Sequence, residues 1–146
     1  MIKEYFVSYD VGMALKAVGF DEPCPCYYSA LDGYVRSVGD SFIPGYRNSL
    51  LVGIENYAKP TIQMAIAWLE QEHHIYVMVA PYQPGKWKVC LVYTNDPHPD
   101  DGKLCLCELD GIHNSYPDAA NFGLMSAIEI VSKVLKAKGG NYAVCK

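Results

Sequence analysis

The fold is decided by the stretch Lys59–Tyr93, which has the sequence KPTIQMAIAWLEQEHHIYVMVAPYQPGKWKVCLVY. Pro60-Thr61 suits the start of a helix, and apolar residues then recur three and four positions apart, as on one helix face. From Ile75 onward the apolar residues occupy alternate positions, which is typical of a strand. A second alternating run follows the turn Pro81–Gly85. The stretch therefore predicts a helix followed by a β-hairpin.

The segments on either side of this stretch predict two more helices and one more strand. Ser8 is a candidate N-cap for a helix over Tyr9–Val18. Lys103–Leu109 alternates in the manner of a third strand. Ser115 or Tyr116 is predicted to cap the longest helix, and a pair of glycines, Gly139-Gly140, ends it.

These elements predict one α+β domain over residues 1–146, with an antiparallel sheet of three or more strands and helices packed on one face. Residues 37–58 lack a regular pattern and predict an irregular loop region, which is either a strand at Leu50–Ile54 or a mobile functional loop. Cys24–Tyr28 is predicted to be extended, because a residue before proline avoids the helical region. Residues 141–146 predict a loose tail. Trp68 is expected to lie at the rim of the core.

Composition places the chain among globular proteins and argues against nucleic-acid and membrane partners. Of 146 residues, 51% are hydrophobic and 19% are charged, which suits a packed domain. The net charge is −4 and the basic residues are scattered, so a nucleic-acid groove is not expected. No run approaches the roughly 18 apolar residues of a membrane helix, and the first residues do not resemble a signal peptide. We expect a cytoplasmic protein without membrane or nucleic-acid partners.

Two Cys-x-Cys pairs are the sharpest chemical feature of the sequence. Side chains two apart on a strand share a face, so each pair could present two thiolates, and four sulfurs could surround a zinc ion. Structural zinc sites usually space their cysteines more widely, and free cysteine is often a buried small hydrophobe. We favour buried free thiols and no cofactor; the alternative is a zinc site formed by Cys24, Cys26, Cys105 and Cys107.

No catalytic motif in the sequence identifies a function. The sequence contains no G-x-S-x-G, P-loop, H-E-x-x-H or dinucleotide fingerprint. Tyrosine is enriched at interfaces, and five of the twelve tyrosines lie beside Gly/Pro turns. The sequence favours a non-enzymatic accessory protein that binds another protein or itself; the alternative is a thiol- or zinc-dependent small-molecule-binding protein or enzyme. The predicted binding surface comprises Tyr27, Tyr28, Tyr34, Tyr46 and Tyr82.

Three stretches carry a resemblance to a known family. They are Tyr5–Tyr28 (YFVSYDVGMALKAVGFDEPCPCYY), Pro60–Leu69 (PTIQMAIAWL) and Tyr116–Val131 (YPDAANFGLMSAIEIV), about a third of the chain. Together they resemble a family of short uncharacterised proteins of Bacteroides-type gut bacteria and their phages. The acidic turn Asp96–Gly102 and the Cys-Leu-Cys strand depart from the family pattern. The resemblance implies a provenance but no activity, cofactor or site residue.

Overall fold

The computed structural model describes residues 4–30, 33–39, 45–51, 55–93 and 104–136. Contacts between Cα atoms divide the chain into two compact units, Met1–Ala65 and Ile66–Lys146. The described residues form three helices and six strands, in the order α1 (Tyr9–Ala17), β1 (Cys26–Ser29), β2 (Arg36–Val38), β3 (Asn56–Lys59), α2 (Ile62–His73), β4 (Ile75–Gln83), β5 (Lys86–Tyr93), β6 (Cys105–Glu108) and α3 (Tyr116–Lys136).

In the first unit α1 packs on a three-stranded antiparallel sheet of order β2-β1-β3. The Ser8 hydroxyl caps α1 by accepting the N–H of Val11, as the sequence predicts. At Gly12 an added Cβ would be 3.4 Å from the Ala58 carbonyl oxygen and 3.5 Å from the Tyr28 ring, which are ordinary contact distances, so the space between helix and sheet has room for one methyl group. The core of this unit includes the buried side chains Val7, Val11, Leu15, Phe20 and Ala58.

A turn at residues 47–51 is fixed to the first unit by a buried asparagine. Asn48 donates from Nδ2 to the Phe20 carbonyl at 2.7 Å, and its Oδ1 accepts the Ala58 N–H at 2.8 Å. Next to it, the Ser49 N–H donates to an Asp21 carboxylate oxygen at 2.7 Å, and this bond lowers the pKa of that carboxyl. The turn is therefore held by side-chain hydrogen bonds where regular strand pairing is absent.

The predicted helix and hairpin of the central stretch are confirmed. The Thr61 hydroxyl accepts the Met64 N–H at 3.1 Å and caps α2. His74 ends the helix in the left-handed region, at a φ of 55°, so β4 starts at the next residue. The Trp68 ring packs edge-on against His73 at 4.9 Å between centroids. With 8% of its surface exposed, Trp68 is more deeply buried than the predicted position at the rim.

In the second unit α3 packs across β4 and β5 of an antiparallel sheet of order β4-β5-β6. The Ser115 hydroxyl caps the helix by accepting the Asp118 N–H at 3.2 Å. At Gly123 the helix backbone approaches the sheet so closely that a Cβ would be 2.6 Å from Val89 Cγ1 and 2.9 Å from Val77 Cγ1. Small residues recur among the buried positions of the helix, which are Ala119, Ala120, Gly123, Leu124, Ala127, Ile128 and Val131.

The predicted α+β class, with antiparallel sheets and helices packed on them, is confirmed. The sequence pattern indicated one sheet, whereas the described strands form two. The region 37–58, predicted to be irregular, contains the end of β2 and the start of β3. Leu50, in the alternative strand, lies in the turn, and residues 52–54 fall outside the described residues. So do the acidic turn 96–102 and the tail 141–146, and the single domain stays a prediction.

Candidate functional site

The most distinctive surface of the described chain is one face of the β4-β5-β6 sheet. Neighbouring residues of a strand point to opposite faces, and α3 occupies the face to which Val77 and Val89 point. The other face is called the open face below. It carries the apolar strand residues Tyr76, Met78, Val92 and Leu106, and Leu104 lies beside them just before β6. The same alternation places Ala80 and Cys90, and the charged residues Lys88 and Glu108, on this face.

The strand register brings these side chains into a row. Tyr76 is paired with Val92, and Val92 in turn is paired with Leu106, so one apolar row crosses all three strands. The exposed fractions are 37% for Tyr76, 51% for Met78, 58% for Leu104 and 70% for Leu106. An antiparallel sheet with one face in water usually alternates apolar and polar residues. Here the open face carries an exposed apolar row, with the charged residues Lys88 and Glu108 at its margin, and such a patch is typical of a surface that binds something.

A groove of about 340 Å³ crosses the open face beside α2. Its lining residues are Ile66, Glu70, Tyr76, Val77, Met78, Val92 and Leu104. Six of these seven are uncharged, and Glu70 adds a carboxylate at the α2 side of the groove. The groove therefore suits an apolar side chain whose neighbour carries a positive charge.

The first Cys-x-Cys pair is buried in the first unit. Cys24 is fully buried and its thiol donates to the Glu22 carbonyl at 3.4 Å, while Cys26 is 7% exposed. Burial, with smaller contributions from the Glu22 carboxylate and Cys26, raises the pKa of the Cys24 thiol to about 12. A thiol that stays protonated at neutral pH is a poor nucleophile.

The second pair lies on β6, where Cys105 and Cys107 point to the α3 side of the sheet and are half-buried. It belongs to the second unit, whereas Cys24 and Cys26 belong to the first. Among the described residues no group of three or more His, Cys, Asp or Glu side chains could hold a metal ion. The four-cysteine zinc site stays a prediction.

Of the five predicted binding-surface tyrosines, the structure brings two together. The rings of Tyr27 and Tyr46 are 4.9 Å apart. Tyr28 points to the other side of β1 and donates its hydroxyl proton to the Val7 carbonyl; burial raises its pKa. Tyr34 is 72% exposed. Tyr82 lies in the second unit, with the Lys88 ammonium 4.5 Å from its ring centroid.

Tyr28 also belongs to an aromatic cluster that the sequence did not indicate. The Tyr9 ring of α1 meets Tyr28 at 5.7 Å and Tyr57 at 5.5 Å, both edge to face. Lys59 places its ammonium 5.0 Å from the Tyr28 ring centroid. These contacts join α1 to β1 and β3, so the cluster supports packing of the first unit.

Comparison with known proteins adds no identity to this geometry. No protein-family model, no curated protein and no solved structure matches the chain. Among the described residues no helix is both long enough and apolar enough to cross a membrane.

The open face is not among the surfaces predicted from the sequence, although the sequence contains the signal. The alternate positions Ile75, Val77 and Val79 predict a strand with one row of core residues. The intervening residues Tyr76 and Met78 are also apolar, and this departure from apolar-polar alternation marks the second face.

Proposed function

We propose that this protein is a non-enzymatic accessory protein that binds another protein through the open face of its second sheet. The observation that carries the proposal is the apolar row formed by Tyr76, Val92 and Leu106, with Met78 and Leu104 beside it. Four of these five side chains are more than one-third exposed. Burying such a row against a partner would gain about 25 cal/mol for each Å² of apolar surface removed from water.

The shape and charge of the groove support a particular chemistry for the partner. A volume of about 340 Å³ holds one or two apolar side chains of a peptide segment. Glu70 at its α2 side favours a lysine or arginine next to them, because opposite charges at an interface give specificity. We therefore expect a partner segment with one or two large apolar residues flanked by a basic residue.

Two further parts of the proposal rest on the sequence. The resemblance of three stretches supports an origin in Bacteroides-type gut bacteria or their phages. Cytoplasmic function is supported by the cysteines, because no disulfide joins the five cysteines in the described residues, as is usual in a reducing compartment.

Selection of peptides from a random phage-displayed library against the purified protein tests the proposal. We expect selected peptides to carry large apolar residues beside Lys or Arg, and Met78→Glu to weaken their binding at least tenfold. The matched control is Met13→Glu, which places the same charge on α1 at a methionine that is 40% exposed. Equal binding by the two variants, or no selected peptide, would refute the proposal.

A charge reversal at the groove distinguishes specific recognition from non-specific binding. Glu70→Lys should reduce binding of the basic peptides and improve binding of versions with Glu in place of the basic residue. Glu72→Lys is the control, because Glu72 is exposed on the same helix and does not line the groove. If both variants change binding equally, net charge and not the groove determines the preference.

Binding of a small apolar ligand is a second candidate, which the groove volume favours. Ligand pockets usually enclose about 300–1,000 Å³ and cover most of the ligand. Here Met78 and Leu104 are about half exposed, so a small molecule would remain half in water. Native mass spectrometry of the purified protein distinguishes the candidates: a co-purified small molecule lost in Met78→Glu would favour this one.

A further inference from the structure

Strand β6 forms one edge of the second sheet, and its outward main-chain groups can be identified. Within the described chain β6 pairs with β5 only. The Leu109 N–H donates to the Val89 carbonyl at 3.0 Å, so the odd-numbered residues of this segment bond toward β5. The N–H and C=O groups of Leu106 and Glu108 consequently point away from the sheet. Such an edge is a template for another strand.

We propose that a second copy of this chain adds to that edge, with β6 of one copy antiparallel to β6 of the other. The two three-stranded sheets then form one continuous six-stranded sheet. This goes beyond the proposed peptide binding, because it uses the main chain of β6 and not the groove beside α2. Strand addition at a sheet edge is a recurrent mode of protein association.

The sequence of β6 is self-complementary in one register. With the two-fold axis at Leu106, Leu106 of one copy faces Leu106 of the other and exchanges two main-chain hydrogen bonds with it. Glu108 then faces Leu104 of the other copy, and the two carboxylates are four residues apart along the strands. An axis at Glu108 would place two carboxylates directly opposite each other, which is destabilising. The 70% exposed Leu106 side chain is buried in the favoured register.

The same register determines which cysteines of the two β6 strands lie opposite each other. Cys105 of one copy faces Cys107 of the other, at a pair without main-chain hydrogen bonds between them, where Cα atoms are about 4.5 Å apart. That separation lies within the range of disulfide geometry, about 4.4–6.8 Å. Cys107 does not face Cys107, because the two are displaced by two residues along the strands. Cross-linking therefore reports the register.

The test uses two variants that each keep one of these cysteines, in a chain that carries Cys90→Ser and Cys145→Ser. One variant adds Cys105→Ser and the other adds Cys107→Ser. Diamide takes two electrons and two protons from a pair of thiols and leaves a disulfide. We expect a covalent dimer when the variants are mixed and none from either alone. A dimer from the Cys105→Ser variant alone would overturn this register, and no dimer from the mixture would overturn the pairing.

Light scattering over a range of concentrations tests association without oxidation. We expect a concentration-dependent dimer whose dissociation constant rises at least tenfold in Leu106→Lys, where two like charges would meet at the axis. Leu50→Lys is the matched control, because Leu50 is 68% exposed in the first unit. Circular dichroism should show both variants folded, since both replaced side chains are more than two-thirds exposed. A monomer at every concentration, or equal effects of the two variants, refutes the proposal.

Different variants test the peptide-binding proposal and the dimer proposal. Met78 lies on β4, the opposite edge of the sheet, so Met78→Glu should abolish peptide binding and leave the dimer intact. Leu106→Lys should abolish the dimer in the absence of any peptide; because Leu106 is also part of the apolar row, this variant is used for the dimer alone. Loss of the dimer in Met78→Glu would instead indicate a single shared surface.

Discussion

Replacing Gly123 by alanine should destabilise the protein, although alanine is the better helix former. In an exposed helix interior this change raises the free energy of unfolding by about 1 kcal/mol. At Gly123 the added methyl would be 2.6 Å from Val89 Cγ1 and 2.9 Å from Val77 Cγ1. Both valines are less than 10% exposed and are stiff at χ1, so neither can move aside freely.

The expected magnitude follows from these two opposing effects. Overpacking of a well-packed core costs about 1–3 kcal/mol. The upper part of that range applies because two β-branched side chains are overlapped at once. After subtraction of the helix-propensity gain, Gly123→Ala should lower the free energy of unfolding by about 1–2 kcal/mol.

Urea denaturation monitored by circular dichroism measures this change, and Gly12→Ala is the matched control. At Gly12 the added methyl would be 3.4 Å from the nearest atom, so we expect a gain of about 0.5–1 kcal/mol. Removing the closer neighbour should relieve the overlap, so Gly123→Ala should cost less when Val89 is alanine. If Gly123→Ala stabilised the protein as much as Gly12→Ala, the close approach of α3 to the sheet would be wrong.

Three further variants test other parts of the structure. Asn48→Ala should lower the free energy of unfolding by about 1–3 kcal/mol because it leaves buried main-chain groups unpaired, whereas Asn114→Ala, at an exposed side chain, should change it by less than about 0.5 kcal/mol. Cys24 should resist alkylation at pH 8 in the folded protein. Because its pKa is raised to about 12, stability should fall as pH rises above about 8.5, less steeply in Cys24→Ala; equal slopes would contradict this. Trp68→Ala should cost about 3–5 kcal/mol, and more than Trp87→Ala at the half-buried second tryptophan; an unchanged denaturation midpoint would show an exposed ring.

Local chemistry made most elements of this fold predictable. The caps at Ser8, Thr61 and Ser115 each form the hydrogen bond that the sequence predicts at the helix starts. The apolar pattern changes from helical to alternating at Ile75, and β4 starts at that residue. His74, with a positive φ, forms the link between α2 and β4. These signals depend only on residues a few positions apart.

The first sheet was not predictable in the same way. Its strand β3 has the sequence Asn-Tyr-Ala-Lys, which shows little apolar alternation. It is a strand because β1, about thirty residues earlier, pairs with it from Cys26↔Lys59 to Ser29↔Asn56, and because Asn48 binds the Ala58 N–H. Such pairing depends on tertiary contacts that periodicity does not report.

The candidate site was hidden by the regularity of the same central stretch that decided the fold. In β4 the row Ile75, Val77 and Val79 accounts for packing against α3, and a strand needs only one such row to be held in a sheet. Tyr76 and Met78 therefore add nothing to that packing, and their exposure leaves apolar surface in water. Polar residues there would have kept the same register and avoided that cost. A sequence that keeps apolar residues where the fold does not require them is best explained by a partner, which is why the open face, and not the cysteines or the turn tyrosines, is the proposed site.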